Sequence, residues 1–169
     1  MHQQNGIRET MIELREVFQS SAIELLSVMF NIDAAVIYTW DVTDTSDARY
    51  DYIFRQIGEN KQYKANAIIG ASYPTLEKVL GPDIDLNEAR DAFGEFANCY
   101  YAMLMENQHF LENFGILKQR VPEDSTVLAC FPLAWGVQGK LCFDNEELFM
   151  RFSVEENKFG ENILALLEE

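Results

Sequence analysis

The stretch "DAFGEFANCYYAML", Asp91 to Leu104, decides how this chain is read. It has no glycine or proline run to make it a loop, so a helix fits. At about 100° per residue, one sector collects Ala89, Ala92, Phe93, Phe96, Ala97, Tyr100, Met103 and Leu104, an apolar face suited to burial. The opposite stripe carries Glu88, Asp91, Glu95, Asn98, Ala102 and Glu106. A helix that buries one face needs something flat beneath it. The rest of the chain supplies that surface.

Just upstream, Asp85 is placed to cap the helix, with Glu88 three residues on as in a capping box, so the helix is expected from about Leu86 to Glu106 or somewhat further. An earlier helix runs from Glu9 to about Phe30, where Met11, Leu14, Phe18, Ala22, Leu25, Leu26 and Met29 recur three and four apart. Between the two, "AAVIYTWDV" (34–42), "RYDYIFRQI" (49–57) and "YKANAIIGA" (63–71) read as consecutive antiparallel strands, being short, β-branched and aromatic. "TLEKVL" (75–80) gives one or two helical turns ended by Gly81 and Pro82. Beyond the second long helix, "FGILKQRV", "TVLACFPLA", "GKLCFD" and "LFMRFSV" are strand-like, with turns at "PEDS", "GVQG" and "DNEE". The final "ENILALLEE" (161–169) suits a short helix.

This order predicts an α+β fold: a two-layer sandwich with a mostly antiparallel sheet, two long helices on one face and a short third helix. No linker or low-complexity tract divides residues 1–169, and 48% hydrophobic content suffices for one core, so a single domain is expected.

Charge narrows the functions. The formal net charge is −15, which repels phosphate backbones and anionic membrane surfaces, so nucleic acid and membrane are not expected partners. No apolar stretch approaches the roughly 20 residues of a membrane span, and the first residues lack a signal-peptide core. Cys99, Cys130 and Cys142 are odd in number, lack CxxC spacing and sit in apolar runs, as small hydrophobes do in a reducing cytoplasm. "GASYP" (70–74) puts Pro74 where a nucleophile elbow needs glycine, so a strand and turn are expected there. "GVQG" (136–139) resembles an RNA-binding loop, but the acidic chain offers no basic groove, and a hairpin turn explains it better. Asp41, Asp44, Asp47 and Asp51 lack the glycine and terminal glutamate of a calcium loop and read as a solvated loop. His2 and His109 have no partner at ligand spacing, so no metal or cofactor is expected on this chain.

The helix stripe remains. Its ordinary reading is the wet side of an amphipathic helix. Yet Glu88, Asp91, Glu95 and Glu106 have no lysine or arginine three or four positions away, and Asn98 occupies a mid-helix position that disfavours it. Such a stripe suits a cationic partner. Glu95 and Asn98, one turn apart, project in nearly the same direction.

At these residues the sequence resembles the CheX branch of the CheC/CheX/FliY family, chemotaxis phosphatases that act on phosphorylated response regulators. The marker is an acidic residue, three positions, Glu, two positions, Asn within an alanine-rich helix, matched by Asp91, Glu95 and Asn98. The similarity extends from "FQSSAIELLSVMF" through "YKANAIIGASYPTLEKVLG" to "CFPLAWGVQGKLCF". Where the family commonly has glycine four residues after the asparagine, this chain has Ala102, and Tyr100 and Tyr101 replace small aliphatics. The first helix reads Glu24, Leu25, Leu26, Ser27, so the chain resembles the one-site form.

The resemblance implies a helix laid across the phosphorylation face of a receiver domain. Glu95 would pair with the partner's active-site lysine and Asn98 would orient the attacking water, while Asp91 and Ala102 would contact the partner. Mg2+ would arrive with that partner. The resemblance also implies a homodimer joined sheet edge to sheet edge. A noncatalytic module that keeps the fold and only binds or sequesters a signalling partner is the alternative.

Overall fold

The computed structural model describes residues 2–131 and 134–157; the helix expected over 161–169 lies outside them. In chain order the elements are α1 (His2–Phe30), β1 (Asp41–Thr43), β2 (Ser46–Glu59), β3 (Tyr63–Ala71), α2 (Tyr73–Leu80), α3 (Leu86–Glu106), α4 (Gln108–Phe114), β4 (Lys118–Gln119), β5 (Glu123–Phe131), β6 (Trp135–Phe143) and β7 (Glu146–Glu156). The seven strands form one antiparallel sheet in the order β1-β6-β7-β3-β2, and the free edge of β2 is shared by β5 and the two-residue β4.

Strand alternation sorts the side chains into two faces. Tyr52 and Phe54 of β2, Ala65, Ala67 and Ile69 of β3, and Leu148, Met150, Phe152 and Val154 of β7 point into the main core. The helices complete that core with Met11, Leu14, Phe18 and Leu26 from α1 and Phe93, Phe96, Ala97, Tyr100 and Tyr101 from α3. Ile53, Ile68 and Phe149 form a separate buried cluster on the other face, with Tyr50 stacked on Phe149. The architecture is therefore the expected α+β sandwich.

The elements depart from the sequence reading in four places. First, residues 34–40 are not a strand: only Ala35 bridges to Cys142, and β1 begins at Asp41. Ile37 and Tyr38 are exposed, while Trp40 turns inward. Between the Ala35–Cys142 bridge and the Asp41–Gln138 pair, residues 36–40 face only 139–141 of β6, so the surplus chain bulges away from the strand instead of pairing with it.

Second, "GVQG" is not a turn but part of β6, and its glycines serve packing. A Cβ built on Gly139 would lie 2.0 Å from Trp40 Cδ1, so the indole occupies the space a side chain would need. Gly139→Ala is accordingly expected to lower unfolding stability by about 1–3 kcal/mol through overpacking, measured as a shift in the urea midpoint.

Third, α3 ends at Glu106, within the expected range, but a further helix that was not expected follows it. Asn107 leaves the helix with extended backbone, and its side chain accepts from the Phe110 N–H at 3.1 Å, capping a fourth helix, α4. "FGILKQRV" therefore begins in helix and contributes only the short β4. Fourth, the aspartates read as a solvated loop fall partly in strands: Asp41 opens β1, and Asp51 lies in β2 with its carboxylate accepting from the Tyr73 N–H at 2.9 Å. "GASYP" runs from β3 into α2, whose cap is Ser72, accepting from the Thr75 N–H at 3.3 Å.

Candidate functional site

The α3 helix starts where the sequence placed it, with the Asp85 carboxylate accepting from the Asn87 N–H at 2.7 Å. That bond reaches the second helical residue, whereas a capping box would reach the third. The helix then lies along β2. Phe93 packs on Tyr52 and Phe54, with ring centroids 6.0 and 6.1 Å apart; Asn98 sits beside Gln56, and Tyr101 beside Gly58. A helix rises about 6 Å in four residues and a strand about 6.6 Å in two, so the two elements stay in step along this contact.

The apolar face is buried at Ala89, Phe93, Phe96, Ala97, Tyr100 and Leu104, while Ala92 and Met103 are half-buried. Gly94 and Tyr101 join the buried set. Tyr100 donates to the Phe18 carbonyl at 2.8 Å and Tyr101 to the Gln56 carbonyl at 2.9 Å. Burial pushes both phenol pKa values up, which keeps both hydroxyls as donors. The two bulky tyrosines thus turn inward and leave the stripe uncovered.

Asp91, Glu95, Asn98 and Ala102 are all exposed on α3. The structure brings them together on one outward stripe with Glu88 and Glu106, also exposed. Cys99, beside Asn98, is exposed rather than packed as a small hydrophobe; Cys142 is half-buried, and the Cys130 side chain lies outside the described ones. Arg90 turns off the stripe, with its guanidinium 3.7 Å from Asp124 and donating to Asn87 at 3.1 Å.

One side of the stripe is flanked by the chain that follows β4. The segment lies against α3 at Gly94, where an added Cβ would meet Pro122 Cγ at 3.4 Å, ordinary van der Waals contact. The Arg120 N–H donates to the Ile57 carbonyl at 2.8 Å, holding the segment to β2. Among these groups Gln56 reaches Asn98 from below, donating from Nε2 to Asn98 Oδ1 at 2.9 Å. Asn98 is therefore exposed but tethered.

Gln56 escaped the sequence reading. It is 3% exposed, on the inward face of β2 in register with Tyr52 and Phe54. The signal was present: a carboxamide at an inward position of an otherwise apolar strand face needs partners. No group of three or more metal-ligating side chains occurs among the described residues. No helix among them is long and apolar enough to cross a membrane.

No family model matches the sequence, and no curated protein matches it. Solved structures do. The chemotaxis protein CheX of Desulfovibrio desulfuricans is 16% identical, superimposes with a TM-score of 0.64, and the match covers 85% of this chain and 99% of that one. CheX of Borrelia burgdorferi, solved in a complex with CheY, BeF3 and Mg2+, is 11% identical with a TM-score of 0.54, covering 83% and 97%. The middle domain of FliM from Helicobacter pylori is 9% identical with a TM-score of 0.55, covering 86% and 91%. One architecture thus spans differently named proteins, and a fold alone does not assign an activity. From the packing of α1 and α3 on the antiparallel sheet, and from these superpositions, the chain has a CheX/CheC-like fold.

Proposed function

We propose that the protein is a phosphatase for aspartyl phosphate on a response-regulator receiver domain. The observation that carries this reading is the exposed Glu95 and Asn98 pair, one helical turn apart, with the Asn98 carboxamide tethered by Gln56. The Borrelia burgdorferi neighbour, a CheX solved with CheY, BeF3 and Mg2+, supports a receiver domain as the partner.

In the proposed complex α3 lies across the partner's phosphorylation face. Glu95 pairs with a lysine there and fixes the pose, and Asp91 and Ala102 contact the surrounding surface. Asn98 holds a water in line with the phosphoryl group. The water's oxygen bonds to phosphorus as the bond from phosphorus to the aspartyl oxygen breaks. The electron pair leaves on the partner's carboxylate, and the water's protons stay with inorganic phosphate. No strong base on this chain is required, because placing the water supplies much of the acceleration. Mg2+ enters with the partner. The proposed setting is the cytoplasm, in chemotaxis or a related two-component pathway, with a homodimer joined through exposed sheet edges such as β1.

The test is to mix the protein with a panel of phosphorylated receiver domains and follow inorganic phosphate. Accelerated release from at least one of them supports the phosphatase. Binding without acceleration across the panel overturns it in favour of a noncatalytic module that sequesters a signalling partner.

A further inference from the structure

We infer that Gln56 is a positioning residue that decides which end of the Asn98 carboxamide faces the partner, an inference that rests on the phosphatase reading of Asn98. The orientation follows from a carbonyl that cannot donate. Gln56 Nε2 lies 3.1 Å from the Arg120 carbonyl oxygen and 2.9 Å from Asn98 Oδ1, with Gln119 Oε1 farther off at 3.4 Å. Turning the Gln56 amide over would set its oxygen against the Arg120 oxygen, so the nitrogen must face that way. Its two hydrogens then go to Arg120 and Asn98. The Asn98 atom beside it must therefore be the oxygen, which leaves Nδ2 pointing outward.

The tether is anchored at both ends. The Arg120 N–H donates to the Ile57 carbonyl at 2.8 Å, and the Gln56 carbonyl accepts from Tyr101 at 2.9 Å, one helical turn beyond Asn98. Gln56 holds α3 through its side chain and its backbone at once. This arrangement carries a cost: Gln56 Oε1 is buried without a hydrogen-bond partner. A bare buried acceptor destabilises, and methionine would pack there without one. What glutamine alone supplies is the pair of donors.

The chemical consequence concerns Asn98. With Oδ1 engaged by Gln56, its outward group is a donor, and a water that accepts from Nδ2 keeps a lone pair directed at phosphorus. A freely turning carboxamide would hold Nδ2 on the line of attack for only a small fraction of the time, and would otherwise turn its oxygen toward an anionic phosphoryl group that repels it.

The experiment compares Gln56→Met, Asn98→Ala and the double variant on the receiver domain that the parental protein dephosphorylates. Gln56→Met is expected to lower kcat on the order of tenfold to a hundredfold, with KM and the affinity for a beryllofluoride-loaded receiver nearly unchanged. The double variant should be no slower than Asn98→Ala alone, because Gln56 acts only through Asn98. A second readout needs no variant: in the parental protein, NMR should find the Gln56 side-chain amide protons slow to exchange with solvent and those of Asn98 fast. Parental kcat in Gln56→Met, a further loss in the double variant, or protected Asn98 protons would each overturn the positioning role and leave the phosphatase reading standing. Parental turnover in Asn98→Ala would remove both.

Discussion

Asn98→Ala is expected to bind a phosphorylated receiver domain almost as the parental protein does, while phosphate release falls on the order of a hundredfold to a thousandfold. The side chain is exposed and accepts a hydrogen bond from Gln56, so truncation removes little of the folded structure. What would disappear is the group proposed to place the water. Asn98→Asp is a sharper comparison. Ionised aspartate only accepts, so it can keep the Gln56 bond but offers no donor to a water beside an anion. Single-turnover release, followed with the receiver in excess and then limiting, separates the chemical step from binding. A variant that releases phosphate at the parental rate would show that Asn98 is only a surface residue.

Glu95→Ala should differ in kind. A charge pair desolvated in an interface costs roughly 2–5 kcal/mol when one member is truncated, because the other charge is left buried and unpaired. That corresponds to a loss of affinity of about thirtyfold to several thousandfold. Titration calorimetry against a beryllofluoride-loaded receiver would measure it, and the loss should persist at raised salt, since a desolvated pair is screened far less than an exposed one. Affinity equal to the parental protein's would remove Glu95 from the interface. Comparing the two variants assigns one group to docking and the other to chemistry.

The α3 helix was legible because its periodicity is strong: aromatic and small residues fall in one sector, and Asp91, Glu95, Asn98 and Ala102 emerge exposed on the other. The sheet was legible in outline through alternation in β2 and β3. Reading failed where tertiary packing overrode local preference. Residues 34–40 look like a strand but bulge away from β6 beyond Ala35, and "GVQG" looks like a turn although Gly139 exists to admit Trp40. Tyr101 was placed neither inside nor outside by the helical wheel, and it is Gly58, across in β2, that gives its ring room: a Cβ there would lie 2.6 Å from Tyr101 Cε1. Gln56 shows the same limit. Its inward register was visible, yet only the tertiary fold brings it to Asn98, 42 positions along the chain.

The two-residue β4 gives the site an unexpected dependence. Its pairing with Gly58 and Glu59, continued by Arg120, holds the carbonyl that sets the Gln56 amide. Short edge pairings open at free energies well below that of global unfolding. Fraying at this corner of the sheet would release the Asn98 carboxamide to spin while the helices and the central strands stay intact. If the proposed mechanism holds, heating should silence the molecule when this weakest seam parts, below the temperature at which it melts.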